Sequence, residues 1–82
     1  MVPQRALQQV LAFFKEQFPD ASADLNASSN LQKTILLDSL ATMEVIMFIE
    51  EAFGVSLERA DLDHFETPQT IADLIERKQT LR

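Results

Sequence analysis

The chain predicts an all-α fold, a bundle of three main helices and one short one. Three observations lead there. Gly54 is the only glycine, so tight hairpin turns and glycine-rich phosphate loops lack their usual residue. No stretch alternates β-branched and polar residues as a half-buried strand requires. Apolar residues recur instead at three- and four-residue spacing, between residues that start and stop helices.

The first helix is predicted to open at Pro3, a residue suited to the first helical position. Leu7, Val10, Leu11, Phe14 and Phe18 then form one apolar face, and Pro19 stops it. A polar connection follows from about Pro19 to Leu37, with Leu25, Leu31 and Ile35 as anchors onto the core. A connection of that length in a small domain is expected to be functional or partly structured. The second main helix runs from Ser39 to about Phe53, capped by Asp38 and ended by Gly54. A short helix is expected from Arg59 to Phe65. The last helix takes Thr67 as its cap and Pro68 as its first residue, and buries Ile71, Leu74 and Ile75.

Size and composition exclude more than they specify. Eighty-two residues predict a single domain, 1–82, with one small core and no deep cavity. The 46% hydrophobic content is not that of a disordered segment. There is no cysteine, hence no disulfide, thiolate metal site or cysteine nucleophile. No run approaches the ~18 apolar residues of a membrane span, and Met1 to Arg5 lacks a secretory apolar run, so a cytoplasmic location is expected. A net charge of −6 argues against a nucleic-acid partner. The charge is concentrated: residues 38–66 hold eight acids and only Arg59 against them. Such a field steers basic partners, although a solvated acidic surface would serve solubility alone.

At 100° per residue the second main helix is apolar on two sides. Thr42, Val45, Ile46, Ile49 and Phe53 make a core face. Leu40, Met43 and Met47 fall on the opposite side, edged by Glu44, Glu50 and Glu51, with Phe48 at the border. Three uses compete for that second stripe. It can lie under another helix or the long connection. It can pair with a second copy, which the like charges discourage, so a monomer is expected. Or it can dock partners transiently, with adaptable methionines for contact and acids for steering.

Asp38, Ser39 and His64 superficially suggest a hydrolase. The chain has no nucleophile-elbow glycines and is too small for a substrate pocket, so His64 reads as a surface or capping residue. Asp61 and Asp63 resemble part of a calcium loop, but the central glycine and closing glutamate are missing, and no metal site is predicted.

The stretch from Leu36-Leu37-Asp38-Ser39-Leu40 through Thr42-Met43-Glu44-Val45 to Phe48-Ile49-Glu50-Glu51-Ala52-Phe53-Gly54-Val55 resembles the acyl, aminoacyl and peptidyl carrier proteins. Phe65-Glu66-Thr67-Pro68 through Leu74-Ile75 is similar to that family's final helix, so the resemblance covers roughly residues 31–78. It implies an acyl-carrier-like four-helix bundle and no catalytic turnover. It implies that Ser39 is esterified by 4′-phosphopantetheine, donated from coenzyme A by a phosphopantetheinyl transferase, with Asp38 and Leu40 completing the attachment motif. The arm's thiol would carry cargo as a thioester between loading enzymes and downstream enzymes with basic docking surfaces. Leu40, Met43, Glu44, Met47, Glu50 and Glu51 match the family's docking positions. Fatty-acid carriers commonly have glycine where this chain has Leu36, and an acid where it has Ala41. That pattern is closer to D-alanyl, aminoacyl or specialised carriers, and fatty-acid, polyketide and aminoacyl cargo all stay open. The reading of a different class is an acidic helical interaction module that is never modified.

Overall fold

A computed structural model describes residues 5–21, 23–35 and 38–80, and among them every regular element is helical. In order these are α1 (Arg5–Gln17), α2 (Leu31–Thr34), α3 (Ser39–Phe53), a 3₁₀ helix (Arg59–His64) and α4 (Pro68–Thr80). The expected opening at Pro3 lies outside the described residues.

Helix α1 buries Ala6, Val10 and Phe14, with Leu7, Leu11 and Phe18 half-buried beside them. The Phe18 N–H makes the last helical bond, to the Phe14 carbonyl at 2.8 Å. Pro19 has no N–H to continue the ladder. On α4 the core side is Pro68, Ile71, Ala72, Leu74 and Ile75. Ala6 and Ala72 put small residues on the buried faces of α1 and α4, the pair of helices that packs most extensively.

The long connection departs from expectation by containing a helix, so the described residues hold two short helical elements instead of one. Asn30 caps α2 by accepting the Lys33 N–H at 3.0 Å. Four residues are little more than one turn, too short for a 3.6-residue repeat to show in the sequence. Leu25, Leu31 and Ile35 are buried, as expected of anchors. The connection is also tied to the approach to α4: the Leu31 N–H donates to the Glu66 carbonyl at 2.9 Å and the Gln69 N–H to the Ala27 carbonyl at 3.0 Å. Upstream, Asn26 accepts the Ser28 N–H at 2.8 Å and donates its own N–H to Ser29 Oγ at 2.9 Å, closing a local turn.

Helix α3 ends as expected at Gly54, whose φ of 66° is the left-handed conformation that favours glycine. Its N–H bonds to the Glu50 carbonyl at 3.0 Å. At the start of α4, Thr67 Oγ1 accepts the Thr70 N–H at 3.1 Å, and the Thr70 hydroxyl donates to the His64 carbonyl.

The 3₁₀ helix is held from both sides. Asp61 Oδ2 accepts the Glu58 N–H at 2.7 Å and sits 2.7 Å from Lys78 Nζ on α4. Burial raises the Asp61 carboxyl, but Lys78, the Glu58 N–H and nearby His64 outweigh it and leave the group below its ordinary value. A depressed folded-state pKa stabilises the fold above the unfolded value of about 3.9 and ceases to do so as pH falls through the folded value. Asp61→Asn is therefore expected to melt lower than the parent at pH 7, with the gap closing below about pH 4. A gap unchanged between pH 7 and pH 3 would count against this pairing.

Candidate functional site

The head of α3 is built by Asp38. Its backbone is extended, at φ −88° and ψ −175°, and its carboxylate accepts the Ala41 N–H at 2.8 Å while its carbonyl takes the Thr42 N–H at 2.9 Å. A helix start leaves its first N–H groups without intrahelical partners, and Asp38 satisfies one of them. Ser39 follows as the first helical residue and is exposed. Its hydroxyl thus stands at the positive end of a fifteen-residue helix, where an added anion gains about 0.3–1 kcal/mol. Leu36 and Leu37 lie outside the described residues.

Beyond Ser39 the two faces of α3 separate. Val45 and Ile49 are buried, and Thr42, Ile46 and Phe53 are half-buried around them. On the other side Leu40, Met43 and Met47 are 67%, 59% and 57% exposed. Among the described residues neither the connection nor another helix covers this stripe, which counts against the buried reading. The acids beside it divide. Glu44 and Glu51 are exposed. Glu50 is half-buried, and its Oε2 accepts the Leu57 N–H at 3.0 Å, holding the chain that leaves α3. Placed with the docking residues by sequence, Glu50 is engaged locally, because the Gly54 turn brings the following segment back over it.

The site has the wrong organisation for hydrolysis. The Asp38 carboxylate is occupied as a cap. His64 borders a shallow depression with Thr70, Asp73 and Arg77, and neither Asp38 nor Ser39 lines it. Among the described residues no three His, Asp or Glu side chains are grouped to hold a metal ion. What the geometry offers is an accessible primary hydroxyl at an anion-favouring helix end, continuous with an exposed apolar stripe.

One contributor escaped the sequence reading. Phe13 of α1 stacks on Phe48 of α3 with ring centroids 4.2 Å apart and planes 16° from parallel. Its signal was present but weak: Phe13 sits off the core face of α1, next to the buried Phe14.

Comparison with known proteins bears on this arrangement. A family profile described as the phosphopantetheine attachment site matches residues 8–75. The chain is 38% identical over 73 residues to acyl carrier protein 1, chloroplastic, of Casuarina glauca, covering 87% of this chain and 52% of that protein. It is 39% identical over 71 residues to acyl carrier protein 4, chloroplastic, of Arabidopsis thaliana, covering 85% and 51%. It therefore spans about half the length of these plant relatives. Against the acyl carrier protein of Prochlorococcus marinus (strain MIT 9515) it is 30% identical over 79 residues, covering 96% of this chain and 99% of that one.

Proposed function

This chain belongs to the phosphopantetheine-attachment family of acyl carrier proteins, and from that premise we propose that it is a carrier loaded at Ser39 and turning nothing over itself. The observation behind the assignment is the exposed Ser39 at the first position of α3, beneath the Asp38 cap and inside the matched residues. The family's group is 4′-phosphopantetheine. The residues present fit it: a primary hydroxyl forms a stable phosphodiester, and the α3 amino terminus favours the charge. When attached, the group supplies the terminal thiol that holds cargo as a thioester, a function this cysteine-free chain cannot provide.

Ser39 Oγ replaces the nucleotide half of coenzyme A on phosphorus, with a phosphopantetheinyl transferase as catalyst. Asp38 keeps the helix start rigid and its serine presented. Leu40 and Met43 lie closest along the stripe to the modified residue and give the transferase apolar contact; Met47, Glu44 and Glu51 extend that surface toward loading and downstream enzymes with basic faces. The relatives named acyl carrier proteins support an acyl cargo. Leu36 and Ala41 favour an aminoacyl or specialised cargo as the second reading. Loading the modified protein with acyl ligases and with aminoacyl ligases separates the two.

The test of the carrier reading is intact mass after incubation with coenzyme A and a permissive transferase. A mass gain of one phosphopantetheine supports it; no gain across several transferases sinks it. Docking is tested apart from attachment. Glu44→Lys is expected to lower the transferase's kcat/KM about tenfold, chiefly through slower encounter, and Met47→Ala about fivefold through lost contact. Helical circular dichroism should stay at parent level. Unchanged kinetics in both variants would remove the stripe from docking.

A further inference from the structure

A groove of about 560 Å³ runs between α1 and α3, beside the exposed stripe and sharing Met47 with it. Ala12, Phe13, Met47 and Phe48 make its apolar part. Glu16, Glu44 and Glu51 stand around it, and no lysine or arginine lines it among the described residues.

Its floor is held in place. Phe13 stacks on Phe48 across the two helices, and it meets Phe14 edge-on with centroids 5.7 Å apart and planes at 68°. Phe14 is fully buried. Phe48 in turn meets Phe53 edge-on, with centroids 6.1 Å apart and planes at 86°. The half-buried pair is thus braced on both sides, by the buried Phe14 and by the half-buried Phe53. Aromatic surface already ordered before binding loses little entropy when a partner covers it, which is a property of interface hot spots.

We propose that this groove is an anchoring site for a cationic amphipathic helix of a partner protein, seating a leucine or phenylalanine on the Phe13–Phe48 pair and lysines or arginines against Glu16, Glu44 and Glu51. The occupant follows from charge complementarity. A second copy of this chain would bring the same carboxylates, and an anionic lipid surface would be repelled by them. The position also separates anchoring from chemistry. At a rise of 1.5 Å per residue, Glu44 to Glu51 lie about 7–18 Å along α3 from Ser39. A helix seated there leaves the Ser39 hydroxyl free, so an enzyme could hold the carrier by α1 and α3 while its active site receives whatever Ser39 bears. The α1 residues Phe13 and Glu16 are what distinguish this site from the single-helix stripe. The biological sense of the groove rests on the carrier reading, but its binding chemistry does not.

The probe is a synthetic 14-residue leucine–lysine helical peptide with one apolar face, set against a scrambled peptide of the same composition and a leucine–glutamate version. Binding is read by fluorescence anisotropy, and the site by backbone amide shifts on the full chain. The amphipathic cationic peptide should bind, shifting Gln9, Phe13, Glu16 and Phe48, with the two controls weaker by tenfold or more. Glu16→Lys, an exposed change that keeps the fold, should weaken it about tenfold. Phe13→Leu should weaken it several-fold with helical circular dichroism retained. Equal binding of the scrambled peptide, shifts confined to Leu40 and Met43, or an unchanged Kd in Glu16→Lys would each overturn the proposal. Coenzyme A loading is measured on the same samples. Loading that persists in Glu16→Lys while the peptide is lost supports an α1 contribution to anchoring beyond the α3 residues used in loading. Failure of the parent to load counts against the carrier reading and not against the groove.

Discussion

Ser39→Ala is expected to end uptake of phosphopantetheine completely, leaving an intact mass unchanged after coenzyme A and transferase treatment. The reason is chemical: removing the hydroxyl removes the oxygen that must bond to phosphorus. The fold should not notice. Ser39 is exposed, alanine is a good helix former, and the Asp38 cap on the Ala41 N–H does not involve the Ser39 side chain. Circular dichroism and melting temperature should therefore match the parent. Other serines give the control. Ser29 is held in the Asn26 turn by its own hydroxyl, while Ser28 and Ser56 are exposed but neither is the first residue of a helix. A mass gain that survives Ser39→Ala would move the attachment to another residue and reject Ser39 as the site.

Phe14→Ala is expected to be the most damaging core substitution. Phe14 is fully buried in α1 and in ring contact with Phe13 and with Phe18, whose centroid lies 6.2 Å away. Truncating a buried phenylalanine costs about 3–5 kcal/mol, from lost burial and from the void left behind. Small domains are stable by about 0.05–0.15 kcal/mol per residue, so the loss would consume much of the total. Urea unfolding at 25 °C should show a collapsed midpoint, or no folded baseline. A loss below about 1 kcal/mol would mean that α1 is not packed as described. Because Phe14 supports Phe13, a folded residue of the population should also bind the cationic peptide more weakly.

Much of this was legible in the chain because it is written locally. Asp38, Thr67-Pro68 and Gly54 mark helix ends through hydrogen bonds or dihedral freedom within a few residues, and each appears where the sequence puts it. The double-sided pattern of α3 is likewise a property of one helix. It predicted both the buried Val45 and Ile49 and the apolar residues left over. Helix α2 was not legible: a single turn has no period, and it depends on the Leu31 N–H meeting the Glu66 carbonyl, thirty-five positions away.

The same division runs through the candidate site. Local chemistry was enough to place a serine at a helix head and to set an acidic, apolar stripe behind it. Whether that stripe was covered could not be read from residue types, because coverage depends on where the connection and α4 go. The tertiary structure left Leu40, Met43 and Met47 in the open, turned Glu50 onto the Leu57 N–H and set Phe13 of α1 against Phe48 of α3. Short-range patterns fix what each helix can offer. Only long-range packing decides which of those surfaces meet one another and which remain for a partner, since burial is a relation between segments and no segment carries it alone.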